Sequence, residues 1–160
     1  MLKTVAGPMM ALCLVPAAAR AGSIETVAEF TAGQTHLDLE VYHANDGSKL
    51  GMVTIENPLR IRGQPTASIV VQPKQWPELV ALWTKAKAGV TGAEPWTTIG
   101  ELTEIDGSPS PPRLNLSSGP AVRFAFGQGA IAMSFELAAS DVDAMEKALD
   151  REQALLQVRK

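Results

Sequence analysis

Cysteine is almost absent from this 160-residue chain, the single copy being Cys13. Cys13 lies within a stretch that reads as a removable leader, so the rest of the chain has no thiol. Disulfides, thiolate-bound metals and cysteine nucleophiles are excluded together. Aromatic residues make up only 5% of the chain, too few to pave a stacking platform for single-stranded nucleic acid. Basic residues are not in excess either: 14 Lys and Arg stand against 17 Asp and Glu, a balance that repels polyanions at long range. No segment after the leader is long and apolar enough to read as a membrane span. The sequence also lacks a G-x-S-x-G elbow, a P-loop and a dinucleotide-binding glycine pattern, so no catalytic residue, metal or cofactor is expected.

What is present begins with "MLKTVAGPMMALCLVPAAARA". Lys3, an apolar centre broken by Gly7 and Pro8, Pro16 and the closing Ala19-Arg20-Ala21 have the layout of a secretory signal peptide cut after Ala21, or less favourably after Ala19. Leu12, immediately before Cys13, does not suit lipidation. The expectation is a periplasmic or secreted protein, with residues 22–160 as one domain large enough to fold without disulfides. Loss of Lys3 and Arg20 leaves twelve basic against seventeen acidic residues, a balance of −5.

From Ile24 the chain reads mostly as strands. "THLDLEVYH" alternates Leu37, Leu39 and Val41 with His36, Asp38, Glu40 and Tyr42, and "NDGS" predicts a turn back onto "KLGMVTIEN". "LRIRG" alternates again, and "TASIVV" leads into "QPKQWPELVALW". There Trp76, Leu79, Val80 and Trp83 form one helical stripe. Pro77 restricts the helix start to Trp76 or Pro77, and Gly89 marks its end after Lys87 or Ala88. In the second half "WTTIGELTEI", "RLNLSSG" and "AVRFAFGQGAIAMSFEL" read as strands, the last as a hairpin turning at Gly127-Gln128-Gly129. Ser140 is the expected N-cap of a second helix with Val142, Met145 and Leu149 on its apolar stripe. A shift of 66 residues lays Ile69, Trp76, Leu79 and Trp83 on Phe135, Val142, Met145 and Leu149. The predicted fold is α+β: a largely antiparallel sheet with two amphipathic helices, in two pseudo-duplicated halves of about 22–89 and 90–160.

This order of strands and helix given twice, with the "QPKQWPEL" approach to the first helix, resembles the duplicated ββββα layout of the Whirly, PUR and PC4-like group. The resemblance spans nearly all of the chain after the leader and implies a fold. The group binds single-stranded nucleic acid with basic and aromatic residues. This chain departs from it in charge, aromatic content and export, so no nucleic-acid partner is carried over.

His36, Asp38 and Glu40 share one strand face. Same-face neighbours lie roughly 6.5–7 Å apart, so these three do not converge on one ion unaided and read as a solvated face. His43 reads as a residue that caps or tunes the neighbouring turn. The more informative pattern lies opposite the core face of the hairpins, where Arg123, Ala125, Ala132 and Ser134, with Thr66 and Ser68 in the first half, make a small-residue sheet surface. Arg60 and Arg62 leave one face of their strand and, together with Arg123, suit an anionic group or an acidic partner. These eight residues are the candidate binding surface. The expected function is that of an exported, non-catalytic protein that binds another protein, or itself as a homo-oligomer, by a sheet face or edge. A carrier gripping a small or elongated ligand between sheet and helix is the second expectation, and an enzyme without a recognisable motif the third.

Overall fold

The computed structural model describes residues 22–59, 65–127 and 132–157. The leader, Arg60, Arg62 and the centre of the expected 127–129 turn lie outside the described residues. Strands β1 (Ser23–Ala32), β2 (Thr35–His43), β3 (Lys49–Glu56) and β4 (Thr66–Val71) form one antiparallel sheet in sequential order. Helix α1 (Trp76–Ala88) follows. Strands β5 (Thr97–Thr103), β6 (Arg113–Ser118), β7 (Val122–Phe126) and β8 (Met133–Leu137) form the second sheet, followed by α2 (Val142–Leu155). Among the described residues no helix is long and apolar enough to cross a membrane.

The α+β architecture and the two-half repeat are as the periodicities predict. A 3₁₀ turn precedes each helix, Pro73–Gln75 and Ala139–Asp141, and the helices start 66 residues apart. Register makes the equivalence stricter than the apolar pattern did. Val41 lies opposite Gly51, which lies opposite Val71; Ser118, Val122 and Leu137 repeat that row. The first strand of each half is irregular at the same place, between Thr26 and Ala28 and between Thr98 and Gly100. Two local expectations change. Ser140 lies inside the 3₁₀ turn and Asp141 takes the N-cap position, without a side-chain cap bond. Leu59, expected to open an alternating strand, sits in a turn and is 65% exposed.

Each helix lies principally on the other half's sheet. α1 packs on β5 and β6, and α2 on β1 and β2. Trp83 of α1 stacks on Phe124 of β7, with ring centroids 6.2 Å apart and 21° between planes. The buried Ser118 hydroxyl donates to the Ala86 carbonyl at 2.6 Å. In the other direction, Lys49 Nζ donates to the Leu155 carbonyl at 3.1 Å, placing a cation at the C-terminal end of α2. Lys87 and Glu146 pair between the helices.

The exchange is fitted by a difference in side-chain size. Ala86 of α1 and Glu152 of α2 are equivalent under the 66-residue shift, and both are fully buried. In the first half Gly51 stands where Val122 stands in the second. A Cβ on Gly51 would fall 2.8 Å from Glu152 Oε1 and 3.1 Å from the Trp76 ring. Gly51→Val is therefore expected to destabilise by about 1–3 kcal/mol, the usual cost of overpacking. Adding Glu152→Ala, the residue type at position 86, should recover part of that loss in urea unfolding.

Candidate functional site

With both helices on the inner sheet faces, the outer faces are left to solvent. Cross-strand pairing on the first sheet sets Ile24, Tyr42 and Leu50 in one outer row, and Glu40, Met52 and Val70 in the next. Their chain neighbours Val41, Gly51 and Val71 point into the core, so strand alternation forces the apolar outer set to face out. The segment after β5 supplies a wall. Glu104 accepts the Val70 backbone N–H at 2.9 Å, Gln72 Nε2 donates to the Ile105 carbonyl at 3.0 Å, and Gln75 Nε2 donates to the Thr103 carbonyl at 2.8 Å. The turn at residues 44–46 closes one end. The result is an open groove of about 790 Å³ with an apolar floor. Its flanks carry two of the most exposed large apolar residues, Ile24 at 55% and Ile105 at 49%.

The rim is acidic. Asp46 accepts from the Ser48 hydroxyl at 2.6 Å and from its backbone N–H at 2.9 Å, which holds the Asp46 carboxyl below the usual carboxylate range. Glu104 faces the same groove. Farther along the sheet, burial raises Asp38 above its ordinary value; Glu29 and Glu40 add to the rise, His36 opposes it, and Glu56 adds again. His36 Nδ1 lies 3.1 Å from Glu29 and 3.3 Å from the Thr31 hydroxyl. Among the described residues no group of three or more His, Cys, Asp or Glu is arranged to hold a metal ion. His43 does not serve its turn: its Nε2 pairs across the strands with Glu25 at 3.2 Å, and Asp46 binds the turn.

The outer face of the second sheet differs at the equivalent positions. The guanidinium carbon of Arg123 lies 3.6 Å from the centre of the Trp96 ring. Its Nη2 and Nε donate to Glu136 Oε1 at 2.7 and 3.2 Å. Gly119 lies beneath the indole, where a Cβ would come within 3.1 Å of the ring. Arg123, expected to greet an anionic partner, is thus already engaged on both sides.

The remaining expected residues fall in two places. Thr66 and Ser68, with Arg113, Asn115 and the 110–112 loop, line a second hollow of about 650 Å³. Ala125 and Ser134 lie opposite each other on β7 and β8, with Ala132 just ahead of β8. The groove residues Ile24, Leu50, Met52 and Ile105 were missed by sequence reasoning. A signal existed in "KLGMVTIEN", where apolar residues occupy both parities of one strand, the mark of a strand contacted on both faces. Trp96 had no such signal, being alone between Pro95 and a run of threonines. Comparison with protein-family models, curated proteins and solved structures found no match, so the duplicated ββββα layout is not tied to any particular group.

Proposed function

We propose that this is an exported, non-catalytic protein that binds another polypeptide, or a second copy of itself, through the outer face of its first sheet. The observation that carries this reading is the open groove on a face that neither helix covers, floored by Tyr42, Leu50, Met52 and Val70 and flanked by exposed Ile24 and Ile105. Contiguous exposed apolar surface framed by polar groups is what partner-binding sites present. A ligand carrier is less well supported. That reading needs room between sheet and helix, and there the described residues place Leu79, Trp83, Phe124, Met145 and Leu149, all buried.

The test is site-specific photo-crosslinking in the native host, with the photoreactive group placed at Ile105 or, as a control, at exposed Ser134 on the other sheet. A discrete polypeptide adduct from position 105 and none from 134 is expected. No adduct from 105, or the same adducts from both positions, would overturn the reading.

A further inference from the structure

The second half of the molecule holds a filled version of the groove that stands open in the first. The strand registers fix the equivalences. Glu25 opposite Val41 corresponds to Thr97 opposite Ser118, so Ile24 corresponds to Trp96 and Tyr42 to Gly119. Met52 opposite Val70 corresponds to Arg123 opposite Glu136. In the second half, then, an indole from the residue just ahead of the first strand lies across Gly119 and Arg123, and Glu136 fixes the arginine beneath it. In the first half each of those positions has changed. Ile24 is too small to span the face, and Met52 and Val70 replace the charged pair with an apolar floor. The Tyr42 ring lies against the Gly22 backbone, where a Cβ would come within 2.4 Å of it. The first half thus carries an open groove on the face whose equivalent Trp96 covers in the second.

We propose that this groove receives an aromatic side chain of a partner polypeptide, lying over Met52 as Trp96 lies over Arg123, with a basic residue of the same partner meeting Asp46 and Glu104. The exchange of arginine for methionine suits an incoming ring, since a thioether contacts aromatic edges favourably and needs no counter-charge. The exchange of glutamate for valine removes a carboxylate that would otherwise be buried by the partner. Both acidic groups that line the groove stand apart from its apolar floor, Asp46 in the turn and Glu104 in the wall. They select a cation beside the ring and disfavour an acidic flank. This inference rests on the binding function proposed above and names what the partner must carry.

The probe is the end-blocked tripeptide lysine-tryptophan-lysine, titrated into the protein of residues 22–160 and followed by backbone amide shifts. Saturable shifts centred on Ile24, Met52, Val70 and Ile105 are expected. Replacing the tryptophan of the probe by alanine should weaken binding about tenfold, the loss expected for one buried aromatic side chain. Replacing its lysines by glutamate should weaken binding further at low salt than at high salt. Ile105→Ala, at the exposed flank, leaves the core untouched and should lower affinity about threefold. The graft Ile24→Trp, Tyr42→Gly, Met52→Arg and Val70→Glu, which rebuilds the filled arrangement, should abolish binding with the circular dichroism unchanged. Shifts that map elsewhere, or affinity indifferent to tryptophan, overturn the proposal. A crosslinked partner at Ile105 with a tryptophan-indifferent groove sinks the aromatic inference and leaves the binding function standing. A tryptophan-dependent groove with no crosslinked partner leaves the site and removes the function.

Discussion

Trp83→Ala is expected to destabilise the protein by about 3–5 kcal/mol, the range for removing a large buried aromatic side chain. Trp83 is almost fully buried and belongs to the first half by sequence, yet its ring stacks on Phe124 of the second. Offset aromatic pairs add about 0.5–1.5 kcal/mol beyond the area they bury, and alanine would leave a cavity between α1 and β7. Trp83→Phe keeps most of both contributions. The Trp83 Nε1 is buried without a hydrogen-bond partner, so phenylalanine loses no hydrogen bond and keeps a ring against Phe124. Its cost should stay below that of alanine by about 2 kcal/mol or more. Urea unfolding monitored by circular dichroism gives both values. Equal costs for the two variants would show that a ring packed against Phe124 contributes nothing, and would overturn this account.

Glu152→Gln is expected to stabilise the protein at neutral pH and to flatten its stability-versus-pH curve. Glu152 is fully buried on α2, and neither carboxyl oxygen has a hydrogen-bond partner. Burial pushes its pKa up to about 9; the nearby Met52 backbone N–H opposes the rise, and Glu40 adds to it. The folded protein therefore holds a proton that the unfolded chain, with an ordinary value of 4.5, has released at pH 7. Stability is fully present below about pH 4.5 and is lost as pH rises through about 9. At pH 7 the linkage cost is on the order of 3 kcal/mol, from 1.36 kcal/mol per unit. Glutamine has similar volume and no proton to lose, so that cost disappears. Glu152→Leu also removes the unpaired polar atoms and should gain at least as much. Denaturant titrations at pH 5, 7 and 9 decide the matter, and parallel profiles for wild type and Glu152→Gln would sink the account.

How far the sequence revealed these features follows from what each pattern encodes. The helix limits were legible because Pro77 and Gly89 punctuate α1, and the observed element runs from Trp76 to Ala88. The 66-residue shift was legible because the stripe Trp76, Leu79, Trp83 repeats as Val142, Met145, Leu149. A stripe reports that a helix has an apolar face, though, and not which sheet that face meets, so the exchange of helices was hidden. Glu152 was partly legible: it stands three residues after Leu149 and seven after Met145, on the buried stripe. Of the candidate surface, Thr66 and Ser68 do line a hollow, but a small residue on a strand says nothing of what reaches over it. Trp96 crosses to Arg123 from the connection just ahead of β5, a contact that no local periodicity announces.

The crossed placement of the helices also governs how the molecule can come apart. Residues 22–89 alone would carry the stripe of Leu79, Trp83 and Ala86 with no surface to receive it, since β5 and β6 are made later in the chain. The first sheet would in turn lack its cover until α2 arrives near the C-terminus. Contacts of this kind join distant parts of the chain, which slows folding because loop closure precedes the reward. They also remove the half-folded state as a resting place, because either half detached from its neighbour loses its own helix together with the other's. Two copies of one structural unit thus melt as one cooperative body.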